Sequence, residues 1–445
     1  MAGQPAKKRK MELPPPAHAA VSRLAQHEVA LPQGVVLSPG AAHSNRVALA
    51  ALPSADAARY EAFVASGRSV YSLTTPRPAG ASSFAGQQGK EGVFIAERAE
   101  GVVAAAPLDA LQQRAEIQSL VLFEDAAGSG GGGGADGTSV LASVDCYGRA
   151  VLAHMRRFGS GSGEGSNGSD EADGGGLQVT GVQQLQPTDL LREPGWAGVA
   201  VAPGAPSQAA VARSFARDVT LFDGGMPVRT LHTMYCPTAL QLLSTTLAAS
   251  PQGGPLVAVT EGPQLSIWDV RGAGRGARVA RLSPGPHHGH LLCLAASDNA
   301  GLPLIGAAGV DRGVLVYDPR KWVMLDRWSN VLKYEVSSMH FSSANPRLCY
   351  VAGMDYEVLC GEWGGNRASR LGGGNRAANA THTGLKTGPA ADGEDGGGEG
   401  GGGMGRGVSF RGDSRWIGLA KAAGQDVLAG LTQSCQLYLA EFECS

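Results

Sequence analysis

The stretch Gly289 to Trp328 constrains this chain more than any other. It opens with Gly289 and His290 and continues as the apolar run Leu291, Leu292, Cys293, Leu294, Ala295, Ala296, broken after Asp298 by Gly301 and Pro303. A second run, Leu304 to Gly309, ends in the turn Val310, Asp311, Arg312, Gly313. A third, Val314 to Tyr317, closes with Asp318, Pro319 and Arg320, and Trp322 to Leu325 supplies a fourth. Four strand-length apolar segments separated by turn residues, in about 40 residues, form one supersecondary unit. Such a unit leaves apolar faces and open edges on its own, so it predicts neighbours of the same kind.

The same rhythm recurs along the chain. Arg46–Leu52, Glu61–Ser66, Ser69–Leu73 and Gly92–Glu97 form a first group. Ile117–Phe123, Val140–Val144, Ala150–Met155 and Leu177–Val182 form a second. Trp196–Ala202, Ala209–Phe215, Asp218–Phe222 and Val228–His232 follow, then Thr238–Leu243, Leu256–Thr260, Leu265–Val270 and Arg278–Leu282. After the unit at 289–328, Val336–Phe341, Leu348–Gly353 and Glu357–Trp363 begin a sixth group whose outer strand has no evident sequence. Arg415–Ala420, Val427–Leu431 and Gln436–Phe442 make a seventh, one strand short. A lone early strand, Val35–Ser38, would complete it if the array closes on itself, which abolishes exposed sheet edges. Many of these runs are continuously apolar, as in strands covered on both faces. A parallel sheet with crossover helices would need long amphipathic stretches, and Ala105–Ala115 is the best available. The expected fold is all-β: a single seven-bladed β-propeller over residues 32–445, closed by an N-terminal strand.

Gly accounts for 66 of 445 residues and concentrates in three tracts, Ala126–Asp136, Gly159–Gly176 and roughly Gly364–Gly407. That composition cannot bury enough apolar surface to offset its ordering entropy, so disordered insertions are expected there. Residues 1–31 read as a disordered basic and Pro-rich tail. Within it Lys7, Lys8, Arg9 and Lys10 follow Pro5 in the pattern of a basic nuclear-import signal, and a nuclear protein is expected. The net charge of −2 gives no general attraction to nucleic acid or anionic membrane. Seven Cys at irregular spacing suggest neither a disulfide nor a zinc framework and point to a reducing compartment. No stretch approaches the ~18 apolar residues of a membrane-spanning helix, and no membrane partner is expected.

The region 34–442 resembles a WD-repeat propeller with degenerate repeats. Trp268-Asp269 is the literal pair, with Phe222-Asp223 and Tyr317-Asp318 as aromatic variants. The resemblance implies structural roles for His290 and for Asp145, Asp311 and Asp355 in the turns between second and third strands. It also implies a hydrogen bond between His290 and Asp311.

Catalytic motifs are scarce. His287, His288 and His290 with Cys293 could suggest a metal site, but they lie in a loop without a carboxylate at ligand spacing, and no metal or other cofactor is expected. The Gly tracts lack the Gly-Lys-Ser/Thr ending of a phosphate loop, and no nucleophile elbow is present. An enzyme is not expected. The most specific signal is Trp268, Asp269, Arg271, repeated one blade later as Tyr317, Asp318, Arg320. This pair of aromatic-Asp-x-Arg ends resembles the box of WD-repeat substrate receptors of cullin-4 ubiquitin ligases. The resemblance implies that Arg271 and Arg320 dock the ligase adaptor. A second cluster, Arg320, Lys321, Trp322, Arg327, Trp328, Lys333 and Tyr334, interleaves bases with aromatics as nucleic-acid surfaces do. Two readings therefore stand: a non-catalytic protein-interaction scaffold, with the receptor role as its sharpest form, and a chromatin- or nucleic-acid-associated propeller.

Overall fold

The computed structural model describes residues 17–444, apart from 39, 42, 53–58, 76–92, 125–137, 158–176, 190–192, 245–254, 273–276, 286–287, 298, 300–301 and 365–406. Lys7 to Lys10 and nearly all of the three Gly-rich tracts lie outside the described residues. Seven sheets form seven blades, each with four antiparallel strands at its heart. Blade 1 contains Val47–Leu52, Arg59–Ser66, Ser69–Thr75 and Ala106–Pro107; blade 2 contains Ile117–Glu124, Thr138–Asp145, Ala150–Arg157 and Leu177–Leu185. Blade 3 runs Ala197–Ala202, Ala205–Arg213, Asp218–Asp223 and Met226–His232; blade 4 runs Pro237–Leu243, Leu256–Glu261, Gln264–Asp269 and Arg278–Leu282. Blade 5 is Leu291–Ala296, Ile305–Gly309, Val314–Asp318 and Val323–Trp328. Blade 6 is Val336–Phe341, Leu348–Gly353, Glu357–Glu362 and Val408–Arg411, the outer strand that the sequence left unplaced. Blade 7 begins with Trp416–Lys421, Val427–Thr432 and Gln436–Cys444.

The first strands of successive blades touch one another all the way round, including blade 7 against blade 1, so they form the inner wall of a closed ring. The hydrophobic core divides accordingly. Seven apolar clusters each span two neighbouring blades: Leu73 with Leu437, Leu141 with Leu111, Val199 with Leu152, Val219 with Val257, Ile267 with Ile305, Val316 with Val351, and Tyr350 with Leu428. Sheets covered on both faces explain the continuously apolar strands. One irregularity repeats from blade to blade. The first strand carries a register shift after its first residue in blades 2, 4, 5, 6 and 7.

Ring closure uses an N-terminal strand, but not Val35–Ser38. Ala19–Ala30 pairs antiparallel with Gln436–Cys444 and completes blade 7, so the tail expected over 1–31 gives way to sheet at Ala19. Its buried positions, Val21, Leu24, Ala25, His27 and Val29, are interrupted by Arg23, Gln26 and Glu28, which is why it reads as polar. Residues 35–38 are irregular because side chains take their carbonyls: Ser66 Oγ donates to Val36 O at 3.0 Å and Arg46 to Ser38 O at 3.0 Å. Gly92–Glu97 is likewise not the outer strand of blade 1. Val93–Phe94 adds in parallel to Val408–Arg411 of blade 6, and Glu97–Ala104 adds in parallel to Ala19–Ala30 of blade 7. The chain then reaches blade 1 as Ala106–Pro107, so residues 93–107 strap three blades together. The amphipathic stretch 105–115 becomes that short strand and a 3-10 turn, Asp109–Leu111, which buries Leu111.

The connection 31–46, from the closing strand to blade 1, brings His43 against Trp196, with ring centroids 5.2 Å apart. The His43 Nε2 atom has no hydrogen-bond partner, and burial depresses its pKa to about 4. Because the folded value lies below the unfolded ~6.5, the unfolded chain takes up the proton first, and stability falls as pH drops from 6.5 toward 4. Denaturant unfolding is expected to show a loss of about 2.5 kcal/mol from this group between pH 7.5 and 4.5. His43→Phe should remove that share of the slope while leaving the smaller contribution of His27, also depressed by burial and then by Arg23.

Candidate partner-binding faces

An antiparallel four-strand blade places its turns on two opposite faces. Turns from first to second and third to fourth strands share one face; turns from second to third strands share the other with the links between blades. The chain leaves for 125–137, 158–176 and 365–406 on the first of these, which is called the insertion face below. On the opposite, short-loop face the second-to-third turns are only 67–68, 146–149, 214–217, 262–263, 310–313, 354–356 and 433–435.

The two Asp-x-Arg ends lie at equivalent places on the insertion face of blades 4 and 5. Trp268 and Tyr317 are buried between blades, and Phe222 occupies the corresponding position in blade 3. At all three the pairing of third and fourth strands shifts register, beside the aromatic residue. Asp269 and Asp318 are buried and each accepts the amide two residues on, Arg271 N at 2.9 Å and Arg320 N at 2.9 Å, so each carboxylate fixes its own turn. The Arg271 side chain is exposed. Arg320 folds back onto Asp318, its Nε at 3.0 Å and Nη2 at 3.2 Å, a bidentate pair that holds the guanidinium flat against the turn.

The expected structural acids lie on the short-loop face. Asp145 is fully buried and accepts Tyr147 N, Arg149 N and Arg149 Nε at 3.0, 3.0 and 2.7 Å. Asp355 accepts Glu357 N at 3.1 Å. Asp311 accepts Gly289 N at 3.1 Å and bonds Nδ1 of His288, whose Nε2 lies 3.2 Å from Arg327 Nη1. The partner of Asp311 is therefore His288, while His290 is exposed. With Gly289's own amide on the carboxylate, the preceding histidine is the one turned toward it. Cys293 is buried in the blade 5–6 core, its thiol pushed up to about 12 by burial, and no group of His, Cys, Asp or Glu among the described residues is placed to hold a metal.

Two further acids do the same work and were not singled out in the sequence. Glu261, at the end of the second strand of blade 4, is fully buried and accepts Met234 N and Tyr235 N at 2.5 and 2.9 Å. Asp218 grips Arg213 across the turn of blade 3, with Nε to Oδ1 at 3.0 Å. Aligning the blades by their second-to-third turns would have exposed both, since an acid recurs beside that turn.

The basic and aromatic cluster at 320–334 does not form one surface. The outer strand Val323–Trp328, six residues or roughly 20 Å long, puts Arg320 and Lys321 on the insertion face and Lys333 and Tyr334 on the other.

No family model matches the chain, and no curated protein matches it in sequence. The fold itself is a seven-bladed β-propeller, consistent with the WD-repeat resemblance of its aromatic-Asp ends. That architecture is compatible with a scaffold that holds protein partners. Among the described residues, no helix is long and apolar enough to cross a membrane.

Proposed function

We propose that this chain is a non-catalytic, WD-repeat-type protein-interaction scaffold that works in the nucleus as a substrate receptor of a cullin-4 RING ubiquitin ligase, docking the adaptor through Arg271 and Arg320. The observation that carries the reading is the pair of equivalent Asp-x-Arg turns on one face of consecutive blades. Each Arg follows a buried Asp that fixes its backbone; the Arg271 side chain is exposed, and Arg320, held by Asp318, leaves Nη1 to donate to a carboxylate or carbonyl. The chromatin alternative loses its main support, because its basic cluster is divided between two faces.

Affinity purification of the tagged chain from cells, beside Arg271→Ala with Arg320→Ala, tests this. The adaptor should accompany the wild type and fall at least about tenfold in the double variant, the scale of a lost desolvated Arg contact. Equal recovery from both proteins, or no adaptor in either, removes the receptor role and leaves the scaffold. Imaging the same tagged chain decides the nuclear part: a protein confined to the cytoplasm contradicts it.

A further inference from the structure

The short-loop face carries a second, differently built surface. Six large apolar side chains stand exposed there over blades 3 to 6: Phe215, Met234, Tyr235, Val310, Tyr334 and Tyr356. They are anchored. Phe215 packs over Gly195 and Tyr235 over Gly262, where an added Cβ would meet the ring at 2.4 and 3.0 Å. Tyr334 stacks beneath Lys333 Nζ at 5.5 Å and Tyr356 lies 6.0 Å from the Arg411 guanidinium. The turns that present them are tied to the next inter-blade link by backbone hydrogen bonds, Thr233 N to Arg217 O at 2.8 Å, Leu291 N to Gly262 O at 2.8 Å and Val331 N to Arg312 O at 2.9 Å.

Charge is distributed unevenly over this arc. Asp218 and Glu261 are buried, Asp311 and Asp355 are half-buried and hold the loops, and Glu335 is half-buried beside Tyr334, whereas the side chains of Arg217, Arg312 and Lys333 are exposed. The fully exposed charges of the arc are thus cationic on a chain whose formal net charge is −2. Arg217 and Arg312 also hold left-handed backbone, φ 51° and 56°, at corresponding turns of blades 3 and 5. Gly or Asn adopts that conformation at lower cost, so replacing either Arg by Gly removes its charge without straining the turn.

We infer that this arc docks an acidic segment of a partner protein, its carboxylates on Arg217, Arg312 and Lys333 and its apolar side chains among the exposed aromatics. A protein segment fits better than a polynucleotide, because the three cations are separated by the exposed Met234 and Val310 surface, which suits aliphatic side chains. This surface is separate from Arg271 and Arg320, which lie on the opposite face, so either site can fail without the other.

The test uses the full chain and a short fluorescein-labelled peptide of Asp and Glu with one Leu and one Phe, followed by anisotropy. The acidic peptide should bind, more weakly as salt rises. Arg217→Gly, Arg312→Gly, Lys333→Gln should weaken binding roughly tenfold or more, with Tm unchanged or raised because the strained positions are relieved. Arg271→Ala with Arg320→Ala should bind as the wild type does. The inference is overturned if the acidic peptide does not bind, if its Asn and Gln counterpart binds equally well, or if the triple variant binds undiminished. A single-stranded oligonucleotide that binds more tightly than the peptide at the same salt overturns it in favour of nucleic acid.

Discussion

A chain that begins at residue 31 is expected not to form the ring. It would lack Ala19–Ala30, the fourth strand of blade 7, and with it three large apolar side chains, Val21, Leu24 and Val29, each at most 6 % exposed. At ~1.5–3 kcal/mol for each such side chain, the loss is about 5–9 kcal/mol. That is comparable with the whole stability of an ordinary domain, ~5–15 kcal/mol. It would also bare the edge of Gln436–Cys444 and strand the parallel pairing of Glu97–Ala104, leaving open β-edges that associate with other chains. Size-exclusion chromatography should find the truncated protein aggregated, and Leu24→Asp should lower Tm steeply in the intact chain. A truncated protein that elutes as a monomer with the wild-type Tm would show that the strand merely decorates a ring closed by other means.

This closing strand also shows where sequence reading stops. The one-strand deficit in the last blade was legible, and so was the need for an N-terminal strand to fill it. Which segment fills it was not, because Val35–Ser38 looks more strand-like locally than Ala19–Ala30. Its carbonyls are claimed by Ser66 and Arg46, a tertiary fact. Periodicity works for strands sandwiched between blades, where continuous apolar runs are unavoidable, and fails at the rim. There Ala19–Ala30 and Glu97–Ala104 mix polar and apolar residues, and Val93–Phe94 adds only two residues to blade 6. The site residues follow the same division. Trp268, Asp269, Tyr317 and Asp318 announce themselves by their repeat spacing. Glu261 and the exchange of His290 for His288 depend on how a loop of variable length reaches its turn. The left-handed backbone of Arg217 and Arg312 leaves no mark on composition, and the division of residues 320–334 between two faces follows from one intervening strand.

The two faces make different demands on the chain. The long connections 125–137, 158–176 and 365–406 leave from the insertion face, where the buried Asp269 and Asp318 each hold the amide two residues on. On the short-loop face every described turn is bonded to a neighbouring link, so a change at one carboxylate propagates to what that face presents. Asp218→Ala puts this to its severest test. Arg213 and Asp218 face each other across the turn 214–217, both nearly inaccessible to solvent, and the Arg213 Nη1 atom also donates to Asp189 O. Gly148, with φ 81°, leaves the space that the Arg213 stem occupies: a Cβ there would come within 2.4 Å of it. Removing the carboxylate strands a guanidinium in that packed site with one carbonyl for company. Such an uncompensated buried charge costs about 3–5 kcal/mol, and urea unfolding should register a loss of that size. Replacing both partners, Arg213→Met with Asp218→Val, should recover most of it, because no charge is left without its mate. Asp218→Ala should also weaken the acidic peptide, since the same turn carries Phe215 and Arg217. A cost below about 1 kcal/mol would mean that water reaches the pair, as at an ordinary exposed salt bridge, and that the turn owes its shape to its backbone alone.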